Sequence, residues 1–243
     1  MTETVSSKYA PTYVLKAKSW TISLALLLGA IVVASVVGGP IVYYFDGDLA
    51  IVLRTVASSL GMVVVIGLYL YQTDLSLAYV DFPGLSARAL GTGVLFGLGL
   101  TALQAALTAL FLSQGIGSPV GPVGQLVSRR GVGFLATMMA VNVLVVAPAE
   151  ELFHRNGIQK ILARSHTELT AVVGAALLFS APHMISYVQV PVDVAATSFV
   201  QVLINGLLYG FAYARWERVD VPAVAHAVYN CGVFLFAYFH VLG

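Results

Sequence analysis

Along the chain, long apolar runs alternate with short polar breaks, and no segment shows the strict two-residue alternation of a half-buried strand. The apolar runs fall at about 20–43, 50–71, 90–113, 131–151, 169–188, 195–214 and 222–241. Each is near the roughly 20 residues a helix needs to cross about 30 Å of hydrocarbon. Spanning strands would be shorter and alternating, so the pattern predicts helices. The expected fold is all-α: a polytopic transmembrane bundle of about seven spans, with six to eight as the range. The breaks include a partly amphipathic connector, LAYVDFPGLSARA at 77–89, and a Gly/Pro-rich loop, SQGIGSPVGPVGQ at 113–125. Gly93 and Gly97, like Gly206 and Gly210, are four apart and permit close helix contact.

Composition agrees with the pattern. The chain is 59% hydrophobic and 9% charged, with mean hydropathy +0.90, where a soluble domain is about a quarter charged. We divide it into a polar tail, 1–19, and one transmembrane domain, 20–243. The tail holds Glu3, Lys8, Lys16 and Lys18 but no cleavage signature, so the first span is read as retained. Cys231 is the single cysteine, which excludes an internal disulfide and a cysteine-built metal cluster. A net charge of +1 gives no reason to expect nucleic acid. Lys8, Lys16, Lys18, Arg88, Lys160, Arg164, Arg215 and Arg218 fall on the side of the N-terminus, with Arg129 and Arg130 against them. The expectation is a multi-pass cell-membrane protein with a cytoplasmic N-terminus.

Against this background the polar residues inside the runs stand out, because ionisable groups at membrane depth are costly. PAEELFHRNG, 148–157, places Glu150, Glu151, His154 and Arg155 within one stretch. At helical spacing Glu151 can pair with Arg155, and Glu150 with His154. The adjacent glutamates point about 100° apart, so we assign Glu151 to Arg155 and leave Glu150 facing a cavity. In FSAPHMISY, 179–187, His183 lies well inside an apolar run beside Pro182, which loosens the helical ladder. In VPAVAHAVYN, 221–230, His226 and Asn230 share a face, and Pro222 suits the helix's first turn. Gln104, Asn142, Gln201 and Asn205 are read as interhelical hydrogen-bonding groups.

A carboxylate, two histidines and an asparagine on three spans are the parts for attack of water on a carbonyl. Glu150 with His183 would activate the water, and His226 with Asn230 would hold the developing oxyanion. Glu150, His183 and His226 could instead hold Zn²⁺, since His₂Glu is a catalytic ligand set. Counted along the helix, Glu150 and His183 lie ~20 Å from the inner turn, while His226 looks shallower.

Glu150-Glu151-x-x-x-Arg155, Phe179-x-x-x-His183 and His226-x-x-x-Asn230 resemble, in order, the three motifs of the CPBP family. That family comprises type II CAAX-prenyl proteases and bacteriocin-processing or immunity-type (Abi-like) intramembrane proteases. The resemblance covers roughly 130–240 and implies a membrane endopeptidase whose catalytic four-helix core lies in the C-terminal half. It implies Glu150 as the catalytic glutamate, His183 as its helper, Glu151 and Arg155 as support, and His226 and Asn230 as the oxyanion hole. The family is labelled metalloprotease, yet its prenyl-protease branch, which shares the terminal Asn of the third motif, resembles glutamate proteases that need no metal. The expected partners are the bilayer and a membrane-associated peptide or protein, with CAAX-type C-termini and lipidated substrates among the classes. A non-catalytic scaffold of the same fold and an ion-coupled transporter are the alternatives. The chain has no internal repeat to favour a transporter, and no HExxH, GxSG or GxGD motif of other intramembrane proteases.

Overall fold

The computed structural model describes residues 11–118, 126, 129–188 and 190–242. Glu3 and Lys8 of the tail, and 119–125 of the Gly/Pro-rich loop, lie outside these residues. Among the described residues the structure is all helical: α1 Thr12–Tyr44, α2 Gly47–Gln72, α3 Ala87–Ser113, α4 Val132–Ala163, α5 Glu168–His183, α6 Val192–Trp216 and α7 Asp220–Leu242. Six of the seven are long and apolar enough to cross a membrane. The exception is α5, whose 16 residues reach about 24 Å. Pro182 sits at its end, and the chain continues as a 3₁₀ turn over Met184–Tyr187.

Local chemistry sets the ends. Ser86 caps α3 by accepting from the Ala89 N–H at 3.2 Å, and Thr167 caps α5 by accepting from Thr170 N–H at 3.3 Å, each satisfying an otherwise orphaned donor. Glu217 ends α6 in the left-handed region, at φ 49°, which reverses the chain into α7. The start of α7 is sunk in the protein, because Asp220 is 4% exposed and held by Arg218. His226 lies level with Glu150, its Nε2 3.9 Å from Glu150 Oε2.

The largest apolar core joins α1, α2, α4 and α5 through Leu26, Ile66, Phe153, Ile158, Leu162 and Ala175. Its counterpart is the close pairing of α3 with α7. A Cβ at Gly93 would stand 2.6 Å from Val224 Cβ, and one at Gly97 2.7 Å from both the Ala225 carbonyl and Val228 Cβ. Gly206 and Gly210 let α6 approach α5, with Ala176 and Val172 at 3.3 and 3.0 Å from the corresponding positions. Both glycine pairs thus sit at helix contacts.

Helix α4 departs from ideal geometry on either side of its glutamates. Asn142–Val146 and Leu152–Gln159 are π-helical, bracketing the α-helical Ala147–Glu151. Pro148 lacks the N–H that would continue the ladder. Wide turns of this kind gather at functional sites. Here they set the rotation of Glu150 and Glu151 relative to both ends of the helix.

Candidate active site

Glu151 and Arg155 are fully buried and paired, with Arg155 Nε donating to Glu151 Oε2 at 2.8 Å. The other carboxylate oxygen, Oε1, accepts from His226 Nδ1 at 2.9 Å. One buried carboxylate therefore joins the first motif to the third. A carboxylate accepts only, so this contact fixes a proton on His226 Nδ1 and turns Nε2 outward. That nitrogen lies 3.9 Å from Glu150 Oε2, and the Glu150 side chain is 16% exposed.

Glu150, His183, His226 and Asn230 line one cavity of about 680 Å³. His183 donates from Nδ1 to the Phe179 carbonyl at 2.8 Å, which leaves its Nε2 lone pair for the cavity. Asn230 donates to Asn142 Oδ1 at 2.9 Å, and Asn142 donates to the Ala227 carbonyl at 3.0 Å. Its amide carries a second N–H. The predicted interhelical amides on α3 and α6 are paired likewise: Gln104 donates to Asn205 Oδ1 at 2.8 Å, and Gln201 to Thr108 Oγ1 at 2.8 Å.

His154 departs from the spacing argument. It is 2% exposed and donates from Nδ1 to the main-chain carbonyl of Glu150 at 3.0 Å, rather than meeting its carboxylate. Its ring stands edge-on to Phe153 and Phe179, and it is absent from the cavity wall.

Two groups that sequence reasoning did not single out hold the site. Tyr209 of α6, 1% exposed, stacks on His226 with ring centroids 4.9 Å apart and an 18° interplanar angle. Asp81, in the connector before α3, receives Lys160 Nζ on both carboxylate oxygens at 2.8 Å and the Tyr213 hydroxyl on Oδ2. Its N–H donates to Asn156 Oδ1 at 2.7 Å, and its carbonyl accepts from the Val219 N–H at 2.9 Å. It thereby ties together α4, α6 and the turn into α7. The available signal was scarcity: an aspartate beside Phe-Pro-Gly, in a chain with 11 acidic residues.

Among the described residues, no group of three or more His, Cys, Asp or Glu side chains is arranged to hold a metal ion. Glu150, His183 and His226, the side chains that would hold Zn²⁺, line one cavity, with Glu150 Oε2 and His226 Nε2 3.9 Å apart.

Residues 132–232 match the family model for type II CAAX prenyl endopeptidase, Rce1-like. This part of the chain is similar to an Rce1-like domain. The match supports a CPBP family intramembrane protease and, in general terms, a CAAX-type endopeptidase. The matched segment begins with α4 and runs into α7, taking in all three motifs together with Tyr209, while Asp81 and the α3 wall of the cavity precede it. No curated protein and no solved structure matches the chain.

Proposed function

We propose that the chain is an intramembrane endopeptidase in which Glu150 and His183 activate water for hydrolysis of a peptide bond. The observation that carries this reading is the division between the adjacent glutamates. Glu151 is neutralised by Arg155 and spent on His226, while the Glu150 carboxylate faces the cavity.

Glu150 accepts a proton from water, with the His183 Nε2 lone pair holding the water's other hydrogen. The hydroxide adds to the substrate carbonyl carbon. The resulting oxyanion takes hydrogen bonds from His226, protonated at Nε2 as well as Nδ1 and faced by Glu151, and from the second amide N–H of Asn230. The proton held by Glu150 passes to the departing nitrogen as the C–N bond breaks, which returns the carboxylate. Glu151 and Arg155 do no proton transfer; they fix the His226 ring, and Tyr209 packs against it.

In this reading the chain is a multi-pass protein of the cell membrane with a cytoplasmic N-terminus. Its partner is a membrane-associated peptide or protein, with lipidated C-termini among the classes to be tested. The test is cleavage by the purified full chain of matched peptides, one farnesylated at a C-terminal CAAX sequence and one unmodified and apolar, read by mass spectrometry. New termini are expected with wild type and none with Glu150→Ala, which should still insert in membranes. The same products from both proteins would reject the mechanism.

A further inference from the structure

The cavity has a direction. Its lining on α2 comes from Ile51 and Thr55, in the first third of that helix, and on α3 from nothing before Thr101. On α7 the lining starts at His226 and continues to His240, near the other end. Helices α3 and α7 run the same way and α2 and α4 oppositely, as consecutive antiparallel spans require. The cavity thus extends from Glu150 towards the membrane face that holds Gly117 and the α5–α6 turn. Towards the other face the site is closed by Arg155, Asn156 and Gln159, each no more than 3% exposed, and beneath them by the Asp81 connections.

The closed face carries Lys16, Lys18, Arg88, Lys160, Arg164, Arg215 and Arg218, whereas the open face carries Arg54, Arg129 and Arg130. Arg130 is there paired with Asp48 at 2.6 Å. An excess of Lys and Arg beside the spans marks the cytoplasmic side. We therefore propose that the site is served from the extracytoplasmic face, by an apolar peptide segment that lies extended in the cavity. The nature of this occupant rests on the protease reading; the side of access does not.

The cavity walls fit an extended chain. On one side, α3 and α6 present Gln104, Thr108 and Gln201, and Gln104 Oε1 is a buried acceptor with no protein partner. On the other, α7 presents Val233, Phe234 and Ala237. A peptide main chain needs hydrogen-bond partners wherever water is excluded, and apolar side chains favour the facing wall. A wholly hydrocarbon occupant would leave Gln104 Oε1 without a partner.

The test labels single cysteines in the full chain carrying Cys231→Ala. His240→Cys marks the open end and Lys18→Cys the closed end; both positions are exposed. In intact cells, a membrane-impermeant maleimide should modify position 240, and position 18 only after permeabilisation. The reverse pattern, or modification of both positions in intact cells, overturns the proposal. A second arm uses sealed membrane vesicles and an impermeant, fluorogenic apolar peptide. Cleavage is expected in right-side-out vesicles and its loss in inside-out ones; cleavage confined to inside-out vesicles overturns access from the outer face. If labelling is as stated but neither vesicles nor detergent-solubilised protein cleaves any peptide, the protease reading fails while the side of access stands.

Discussion

At the scale of residues, Glu150 and Glu151 are neighbours with different surroundings, and substitutions should separate them. Glu151→Ala leaves the Arg155 guanidinium buried without its counter-charge and His226 without its anchor. Breaking one partner of a buried ion pair costs about 3–5 kcal/mol. We expect a lowered unfolding midpoint in detergent together with loss of cleavage; unaltered unfolding would contradict the anchoring role. His154→Phe keeps the aromatic packing of a side chain outside the cavity and should leave turnover near wild type in the peptide assay. The Glu151–Arg155 pair was legible because i,i+4 spacing on a helix brings side chains together. The contact of Glu151 with His226 was not, because it closes across 75 positions and depends on how α7 seats against α4. The same spacing also allowed a Glu150–His154 pair, but the His154 ring donates to the Glu150 main-chain carbonyl instead.

At the scale of elements, the close α3–α7 contact supports one wall of the site. Gly97→Val would drive a branched side chain into the Ala225 carbonyl and Val228, beside His226. Overpacking of this kind costs about 1–3 kcal/mol, and thermal unfolding compared with Gly99→Val provides the control, because Gly99 faces open space. Equal effects of the two substitutions would argue against the contact. Asp81→Ala leaves Lys160 Nζ and the Tyr213 hydroxyl without their shared acceptor. An expected loss of about 1–3 kcal/mol follows from unsatisfied donors, again read by unfolding. Run length and glycine spacing made the seven helices and their contacts legible. The π-helical turns of α4 were not, since no periodicity marks a one-residue widening. Asp81 escaped because a connector without regular spacing gives no rule for where its carboxylate lands.

At the scale of the molecule, hydropathy was sufficient for class and approximate span count, and the ordered motifs for the family. Composition could not show that the cavity extends from Glu150 towards one end of the helices, a property of where helices from both halves of the chain meet. If catalysis is glutamate-driven, purified protein should retain its turnover after exhaustive chelation and metal-free dialysis; loss restored by added Zn²⁺ would require a metal-based mechanism instead. The central claim is that Glu150 moves the proton that makes water a nucleophile. Its most direct measurement is the cleavage rate of purified Glu150→Gln beside wild type, with unfolding midpoints recorded on the same samples. The change keeps shape and removes only the proton acceptor, so a folded protein of unchanged midpoint with no detectable cleavage is expected. Wild-type turnover by Glu150→Gln would contradict the account.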